Sequence, residues 1–263
     1  MKRPTCSLVI STYNWPKALY LCVQTVFKQT CLPNEIIIAD DGSTEETAKL
    51  IDKLKSQSPV PIRHIWHEDK GFRKTLIMNK AIKSAQYDYI VQLDGDAFIG
   101  RNFIKDHLKT IKKGYFISGS RALTTKELSD RILKNNMIKL SFFAKGLDKR
   151  YYAIRFPFLD SIFKVKPNHV STIIGCNLSF WKADFLTVNG YNNDIEGWGH
   201  EDVELITRFI KYGIACRKLR FSAICFHIYH AGNSRDNESK NFKIYKDTFE
   251  KGSYICENGV TQS

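Results

Sequence analysis

The sequence predicts an α/β fold in which a mostly parallel sheet is flanked by helices. Two observations lead to this prediction. Over residues 1–120, short runs of β-branched residues alternate with amphipathic stretches, which is the pattern of βαβ units. Acidic turn sequences also follow two of these runs directly, at the strand ends where open parallel sheets bind ligands. We expect residues 1–263 to form a single domain with two halves, 1–120 and 121–263.

The predicted strands are short apolar runs, and the stretches between them carry apolar residues on one helical face. In chain order the strands are Ser7–Ile10, Glu35–Ala39, Ile62–Trp66, Tyr89–Leu93 and Tyr115–Ser118. The first helix is predicted over Trp15–Gln29. Ser43, with Glu46 three residues later, has the spacing of a capping box and predicts the start of the second. A further helix is predicted over Arg101–Lys113, and Gly114 ends it.

Beyond Ser120 the alternation of strand and helix patterns ends. We expect irregular helix and loop over Ala122–Lys166, and regular signals resume at Ile173. The spacing of apolar residues predicts a helix over Glu201–Tyr212. After Gly232 the chain is polar, and we expect this tail to wrap around the domain or to fray.

Composition excludes several classes of protein. The 263 residues are 43% hydrophobic and 25% charged, which is ordinary for a globular protein and too polar for a bundle of membrane helices. No apolar run approaches the roughly 20 residues that a spanning helix needs. The apolar stretch near the N-terminus is too short for a secretory signal, so we expect a cytoplasmic location. The 7 cysteines are scattered and form no Cys-x-x-Cys pair, which argues against a disulfide framework and a zinc site.

The chain is strongly basic, with 40 Lys and Arg residues against 27 Asp and Glu residues, a net charge of +13. This surplus favours an anionic partner such as nucleic acid, a phosphorylated substrate or an acidic membrane surface. Residues 131–167 contribute nine basic side chains and seven interleaved aromatic residues. This segment is interpreted as a flap over an acceptor site, as a patch that docks on an anionic membrane surface, or as a solvated basic face.

Two acidic pairs follow predicted strands. Asp40 and Asp41 follow the second strand, and Asp94-Gly95-Asp96 follows the fourth. If the strands are parallel, both pairs lie at the same edge of the sheet. Paired carboxylates on a turn can present oxygen ligands to a divalent cation. The alternative is that both sequences are only favourable turns, because Asp and Gly are common there.

Three more segments carry candidate site residues. Arg73 lies in a charged loop after the third strand and could donate hydrogen bonds to a diphosphate. Trp198 lies between two glycines and could stack on the apolar face of a sugar, and Glu201 and Asp202 then begin a helix. The helix dipole is expected to lower the pKa of both carboxylates and make them weak bases. His227 and His230 are candidates for a metal ligand or for ordinary core residues.

These motifs resemble a known family. The runs Ser7–Asn14, Ile36–Thr44 and Gln92–Asp96 are similar to the nucleotide-sugar half of family 2 glycosyltransferases with the Rossmann-like GT-A fold. Phe185–Tyr191 and Gly197–Asp202 are similar to the C-terminal signature of β-1,4-galactosyltransferases and bacterial chondroitin-type polymerases. The resemblance extends from residue 6 to about residue 236. It implies that 1–120 binds the nucleotide-sugar and that 121–263 binds the acceptor and is catalytic.

The resemblance also implies residue roles. Thr12, Tyr13 and Asp40 would line a uracil pocket, and Arg73 would contribute there or at the diphosphate. Two acidic residues and a histidine would bind the metal ion, Mn²⁺ or Mg²⁺. One of the acidic residues, Asp94, would also lie near the ribose. Trp198 would contact the donor sugar and the acceptor, and Asp202 would be the catalytic base with Glu201 beside it. The metal-site residues are Asp94, Asp96 and His230, the last preferred to His227 because it precedes Ser234-Arg235-Asp236.

Two departures from the family pattern leave the donor sugar open. His200 stands where the family has Gly before Glu-Asp, and Met78 stands where an Arg is expected before Asn79.

The implied reaction is inverting, metal-dependent transfer of a hexose or N-acetylhexosamine. A UDP-sugar is the donor and a glycan or lipid-linked glycan the acceptor, in bacterial surface polysaccharide synthesis such as capsule, lipopolysaccharide or O-antigen. One alternative is a metal-dependent nucleotidyltransferase or phosphohydrolase, which would not explain Trp198 beside Glu201 and Asp202. The other is a basic nucleic-acid-binding protein, which is disfavoured because the acidic pairs would repel phosphates and no base-reading motif is present.

Overall fold

The computed structural model describes residues 4–161, 173–232, 234–251 and 253–263. Its first half alternates strands and helices as predicted. In chain order the elements are β1 (Ser7–Thr12), α1 (Pro16–Phe27), β2 (Glu35–Asp40), α2 (Glu45–Gln57), β3 (Ile62–Trp66), α3 (Lys74–Ser84), β4 (Tyr89–Asp94), β5 (Ala97–Ile99), α4 (Phe103–Lys109), β6 (Tyr115–Ser118), β7 (Ala122–Thr124), α5 (Lys126–Asn135), β8 (Leu147–Asp148), β9 (Asn177–Trp181), α6 (Lys182–Thr187), α7 (Glu201–Lys211), β10 (Ala215–Lys218), β11 (Cys225–His227) and α8 (Glu238–Lys251).

Seven strands form the main sheet, in the order β10-β6-β9-β4-β1-β2-β3. Neighbouring strands are parallel except around β9, which runs antiparallel to both β4 and β6. The register places Thr12 opposite Asp40 and Ser11 opposite Asp94. The two acidic turns therefore lie on either side of the end of β1, at one edge of the sheet. The predicted α/β class with a largely parallel sheet is confirmed.

A second, smaller sheet has four strands, in the order β5-β11-β7-β8. β11 pairs antiparallel with β5, so that His227 lies opposite Ala97. The amide of Ile228 also donates a hydrogen bond to the carbonyl of Asp96 at 2.9 Å. This pairing brings residues near the C-terminus of the chain beside the Asp-Gly-Asp turn.

The main sheet is covered on both faces. Because side chains alternate along a strand, Leu8 and Ile10 of β1 pack into one apolar cluster with α1, α2 and α4, whereas Val9 packs into another with α3, α6 and α7. All three side chains are fully buried. Near-continuous apolar strands are typical of a parallel sheet buried on both faces. Val260, close to the C-terminus, also belongs to the second cluster.

Two local predictions were wrong, and of the two alternatives given for the tail, the described residues support wrapping. The residue that caps α2 is Thr44, without a side-chain cap, while the Ser43 hydroxyl accepts a hydrogen bond from the amide of Asn14. The helix predicted to run to residue 113 ends at Lys109, where the hydroxyl of Thr110 bonds the carbonyl of His107. The tail after residue 232 does not fray. It forms α8, whose Asn241 is fully buried.

The basic, aromatic segment is more regular than expected. Its described part, up to residue 161, contains α5 and two short 3-10 turns. Phe143 and Phe158 are 82% and 71% exposed. The rest of the segment lies outside the described residues. Of the helices in the described ranges, none combines the length and the apolar character needed to cross a bilayer.

Candidate functional site

A cavity of about 1070 Å³ opens at the carboxyl ends of the central strands. It is lined by nine of the ten side chains singled out from the sequence, including Asp96 and Asp202, which are far apart along the chain. The nine are Thr12, Tyr13, Arg73, Asp94, Asp96, Trp198, Glu201, Asp202 and His230. His227 also lines the cavity. The structure thus brings the candidate base and the candidate metal ligands into one space.

Asp40 is the candidate that does not line the cavity. It is fully buried, accepts a hydrogen bond from the amide of Ser43 at 2.8 Å and lies 2.9 Å from the ring of His64. Its neighbour Asp41 lines the cavity instead. Asp41 accepts a hydrogen bond from the amide of Arg73 at 2.9 Å. Of the two adjacent carboxylates, Asp40 closes the turn and Asp41 faces the site.

The loop before α3 forms one wall of the cavity. The hydroxyl of Tyr13 donates a hydrogen bond to Asp69 at 2.8 Å, which ties the end of β1 to this loop. One nitrogen of the Arg73 guanidinium donates to the carbonyl of Glu68, and its Nε is buried without a partner among the described residues. A buried donor without a partner is costly. Arg73 is therefore prepared to receive an acceptor atom from a ligand.

Asp96, His227 and His230 form a candidate cation site. Their ligand atoms lie within 4.8 Å of one another. Nε2 of His227 is 3.4 Å from one Asp96 oxygen, and Nε2 of His230 is 3.3 Å from the other. Nδ1 of His230 lies 2.8 Å from the carbonyl of Ala231, so the proton belongs on Nδ1 and Nε2 is free to bind a metal.

The donor set fits a divalent cation. Asp96 Oδ1 is buried and lacks a hydrogen-bond donor among the described residues. Burial raises the pKa of this carboxyl, and burial likewise lowers the pKa of His227, which keeps that imidazole neutral. The carboxylate suits Mn²⁺ or Mg²⁺, and the two neutral imidazoles favour a transition metal such as Mn²⁺ over Mg²⁺. The short turn that holds Asp96 needs Gly95, because an added Cβ would lie 2.6 Å from the carbonyl of Ser11.

Asp94 lies outside this cluster and is held by Lys74. Its Oδ1 is 3.1 Å from the Lys74 ammonium and accepts a hydrogen bond from Ser11 at 2.9 Å. Burial is the largest single influence and opposes ionisation of Asp94, but the charge and hydrogen bond of Lys74, together with the hydrogen bond from Ser11, outweigh burial and lower its pKa. Lys74 is also 3.7 Å from Glu201. One ammonium therefore links the end of β4 to the start of α7.

Asp202 occupies the most unusual electrostatic environment in the cavity. Burial, together with the negative charge of Glu201, raises its pKa to about 7. The expectation that the helix dipole would lower this pKa was wrong, because burial is the larger effect. The hydroxyl of Tyr191 donates a hydrogen bond to Asp202 at 3.2 Å, and Gly175 packs so closely on the carboxylate that an added Cβ would overlap it.

The position of Tyr191 is fixed from two directions. The side chain of Asn79 bonds both the amide and the carbonyl of Tyr191 at 2.8 Å. Two residues before it, Asn189 bonds the carbonyl of Cys256 and the amides of Val260 and Thr261. The last residues of the chain therefore support the corner that carries Tyr191 and, through it, Asp202.

Trp198 stands at the cavity wall with its ring 37% exposed. The guanidinium of Arg235 lies 5.1 Å from the ring centroid, at cation–π distance. The neighbouring His200 adopts a left-handed conformation with φ +71° and stacks on Tyr245 of α8. The residue that departs from the family pattern therefore connects the cavity to α8.

Sequence reasoning missed four cavity-lining or cavity-supporting residues. Asp41 was noted only as the partner of Asp40, and Lys74 only as a charged loop residue. Tyr191 belonged to a recognised motif without an assigned role. Arg121 gave no local signal, because it follows a strand without an accompanying motif.

Two family models match the chain. The model for glycosyl transferase family 2 matches residues 7–185. The model described as the N-terminal domain of galactosyltransferase matches residues 162–231. Between them these matches include the two strand-end turns and the Gly197–Asp202 segment.

Curated relatives are longer proteins. Validoxylamine A glucosyltransferase from Streptomyces hygroscopicus subsp. limoneus is 25% identical over 224 residues, which cover 80% of this chain and 49% of the relative. Chondroitin synthase from Escherichia coli is 22% identical over 251 residues, which cover 88% of this chain and 36% of the relative. The chain spans about half or less of the length of these two relatives.

Solved structures share the fold. S. aureus TarS in complex with UDP superposes with a TM-score of 0.65 at 15% identity, covering 93% of this chain and 65% of that chain. The mannosyltransferase PcManGT from Pyrobaculum calidifontis, in complex with GDP-Man and Mn²⁺, gives a TM-score of 0.60 at 16% identity, covering 87% and 58%. The α/β architecture is thus the GT-A fold. Because the family 2 model matches well over half of the chain, this protein belongs to glycosyl transferase family 2 and is a glycosyltransferase.

Proposed function

We propose that this enzyme transfers a hexose or N-acetylhexosamine from a UDP-sugar to a hydroxyl of a glycan, with inversion at the anomeric carbon and with a divalent cation. The observation that carries the proposal is the meeting of Asp202, a carboxyl with a pKa of about 7, and the Asp96–His227–His230 cluster in one cavity. The chondroitin synthase among the relatives favours a role in polysaccharide synthesis.

The donor side of the site would be built by residues 1–120 together with His227 and His230. Tyr13 and Asp41 line the part of the cavity that would hold the nucleobase, and Arg73 has an unused donor for a phosphate oxygen. Asp96, His230 and His227 would hold the cation, which when bound would neutralise negative charge on the departing diphosphate. TarS, which shares the fold, binds UDP, and this supports a uridine nucleotide as the donor.

The acceptor side is built by residues 121–263. Trp198 offers a ring surface for a sugar. The acceptor hydroxyl attacks the anomeric carbon from the face opposite the diphosphate, the new carbon–oxygen bond forms as the bond to the diphosphate breaks, and the hydroxyl proton passes to the Asp202 carboxylate. A single displacement of this kind inverts the configuration. Tyr191 and Lys74 hold the carboxylate group and its neighbours in place.

Release of UDP tests the proposal. The purified protein, supplied with Mn²⁺ or Mg²⁺ and a panel of UDP-sugars, is expected to release UDP in the presence of a glycan acceptor and to form a glycoside of inverted configuration. Release of a sugar phosphate would instead indicate a phosphohydrolase, and formation of a new nucleotide-sugar would indicate a nucleotidyltransferase. An absence of turnover with every UDP-sugar would contradict the choice of nucleotide.

The rate of transfer is expected to rise with pH. Asp202 accepts a proton only when ionised, and its pKa is about 7. At low acceptor concentration the rate should therefore increase about tenfold per pH unit below the pKa and level off above about pH 8. We would measure UDP release across this range with saturating cation. A rate that stays constant between about pH 6 and pH 8 would show that another group takes the proton.

We also propose that the basic, aromatic segment binds an anionic membrane surface, where a lipid-linked glycan would be presented. Phe143 and Phe158 are exposed, and Lys139, Lys145 and Lys149 are exposed beside them. Each basic residue near such a surface contributes about 1 kcal/mol. Vesicles that contain phosphatidylglycerol are expected to sediment the protein, and pure phosphatidylcholine vesicles are not.

The double substitution of Phe143 and Phe158 by Ser should reduce this sedimentation, since it removes the exposed rings. Phe249→Ser, which removes an exposed ring on α8, is the control and should have no effect. Sedimentation that is independent of anionic lipid would refute the membrane proposal.

A further inference from the structure

Arg121 lines the cavity but plays no part in the reaction as described so far. It follows β6 and immediately precedes β7. Its backbone is firmly placed, because the side chain of Asn177 donates a hydrogen bond to the carbonyl of Ser120 at 2.9 Å and the Ser120 hydroxyl donates to the carbonyl of Leu219. The guanidinium is therefore presented to the cavity from a fixed point.

The guanidinium of Arg121 has an unusual set of partners. One nitrogen lies 3.5 Å from the thiol sulfur of Cys176, which is a weak acceptor. No carboxylate within the described ranges of the chain forms an ion pair with it. Arg73 and Arg217, which are also half-buried, share this lack of a carboxylate ion pair within the described ranges, whereas two other arginines do not. Arg208 pairs with Glu204, and Arg155 pairs with Asp106, each through two hydrogen bonds.

The unused donors of Arg121 are accessible from the cavity, because the side chain is half-buried and lines it. A guanidinium has five N–H donors, and the contact with Cys176 uses one of them. The negative charge of Asp94 acts on Arg121 from beyond ion-pair distance, and it leaves these donors without an acceptor. A side chain of this kind, placed in a site, points to a negatively charged group that arrives with a ligand.

The location of Arg121 indicates which part of a ligand it could contact. It is close enough to His227 for its charge to act on that imidazole, so it lies beside the cation cluster. Its partner Cys176 follows Gly175, and Gly175 packs against the carboxylate of Asp202. Arg121 therefore lies between the cation cluster and the base, where the departing group and the acceptor sugar would meet.

We propose that Arg121 binds an oxyanion of a substrate in the cavity. The oxyanion is either a phosphate oxygen of the donor diphosphate, in which case Arg121 is a donor-binding residue, or a carboxylate of an acidic acceptor sugar, in which case Arg121 determines acceptor specificity. This inference rests on the proposed function for the identity of the substrates. A charge-assisted hydrogen bond of this kind contributes enough to change affinity about 10- to 100-fold.

Two binding measurements distinguish the sources. The first is the affinity for UDP with Mn²⁺, and the second is the affinity for methyl β-glucuronide relative to methyl β-glucoside, which differ only in the carboxylate. Arg121→Met is expected to weaken one of the two by about 10- to 100-fold. Weaker UDP binding would identify the donor diphosphate as the ligand of Arg121. Loss of the preference for the glucuronide would identify the carboxylate of the acceptor sugar as that ligand. Arg121→Lys should recover part of the lost affinity because it keeps the charge.

The melting temperature distinguishes a ligand-binding role of Arg121 from a structural role. Because Arg121 has no carboxylate partner among the described residues, Arg121→Met should leave the melting temperature unchanged or raise it. Arg101→Met, which removes an exposed arginine, is the matched control for binding and stability. If Arg121→Met leaves both affinities intact, the proposal is overturned, and a lowered melting temperature would then assign Arg121 a structural role. These binding assays do not need turnover, so a failure to transfer sugar would count against the proposed function and not against Arg121.

Discussion

Replacement of Asp202 by Asn is expected to slow sugar transfer by about 100- to 10,000-fold, which is the contribution of a well-placed general base. The substitution keeps the size of the side chain, and the amide oxygen can still accept the hydrogen bond from Tyr191. What is lost is the ability to take the acceptor proton. Affinity for UDP should change little, because no part of the proposed nucleotide site is altered. The measurements are UDP release and UDP binding by calorimetry.

Two other carboxylates serve as controls for this experiment. Asp52→Asn, which removes an exposed charge on α2, should have no effect on transfer. Glu201→Gln should have a smaller effect than Asp202→Asn, since Glu201 lies against Lys74 and acts on Asp202 through its charge. Turnover by Asp202→Asn at the rate of the unaltered protein would refute the assignment of the base. Loss of transfer only in Glu201→Gln would move that role to Glu201.

Replacement of Asp96 by Asn is expected to abolish cation binding and to reduce transfer by more than about 100-fold, equivalent to about 3 kcal/mol of transition-state stabilisation. Asp96 supplies the negative charge of the cluster, and both histidines point their Nε2 atoms at it. Titration of Mn²⁺ into the protein, followed by electron paramagnetic resonance, measures the affinity directly. UDP release as a function of Mn²⁺ concentration measures the consequence for catalysis.

Variants of the histidines and of a distant aspartate complete this test. His230→Ala and His227→Ala should each weaken Mn²⁺ binding, and the larger loss identifies the stronger ligand. Asp130→Asn, on the exposed side of α5, is the matched control and should bind Mn²⁺ normally. If Asp96→Asn binds Mn²⁺ as tightly as the unaltered protein, the cation is held elsewhere in the cavity.

The sequence was informative where local pattern and topology agree. The strands Ile62–Trp66 and Tyr115–Ser118 have the predicted bounds, because each is a short run with β-branched or aromatic residues between clear turns. Parallel pairing then brings the turns after β2 and β4 to one edge, as expected. The shared cavity of Asp96 and Asp202 could be anticipated from motif resemblance, although spacing alone does not bring them together.

The strand β9 was not predicted, and its chemistry explains why. Two of its residues are polar, and they are buried only because distant side chains satisfy them. Ser179 bonds Tyr89 and His107, and Asn177 bonds His107. Burial of His107 in this network lowers its pKa to about 4, so it stays neutral. A local pattern cannot reveal partners that lie about 70 residues away.

The electrostatics of the site could not be predicted from the sequence either. The position of Asp202 in the first turn of α7 suggested a lowered pKa, and only the packing around it shows that burial dominates. Similarly, the choice between Asp40 and Asp41 depends on the direction in which each side chain leaves the turn. The sequence does not distinguish Asp40 from Asp41, but in the fold Asp40 is buried away from the cavity and Asp41 lines it.

The contacts of Asn189 with residues 256–261 have a consequence for truncated forms of the protein. A polypeptide without Cys256, Val260 and Thr261 lacks three hydrogen bonds at the corner before Tyr191. Such a polypeptide keeps every residue of the proposed nucleotide site, but the support for Tyr191, and through it for the proposed base, is lost. Removal of these residues is therefore expected to impair transfer more than binding of the nucleotide.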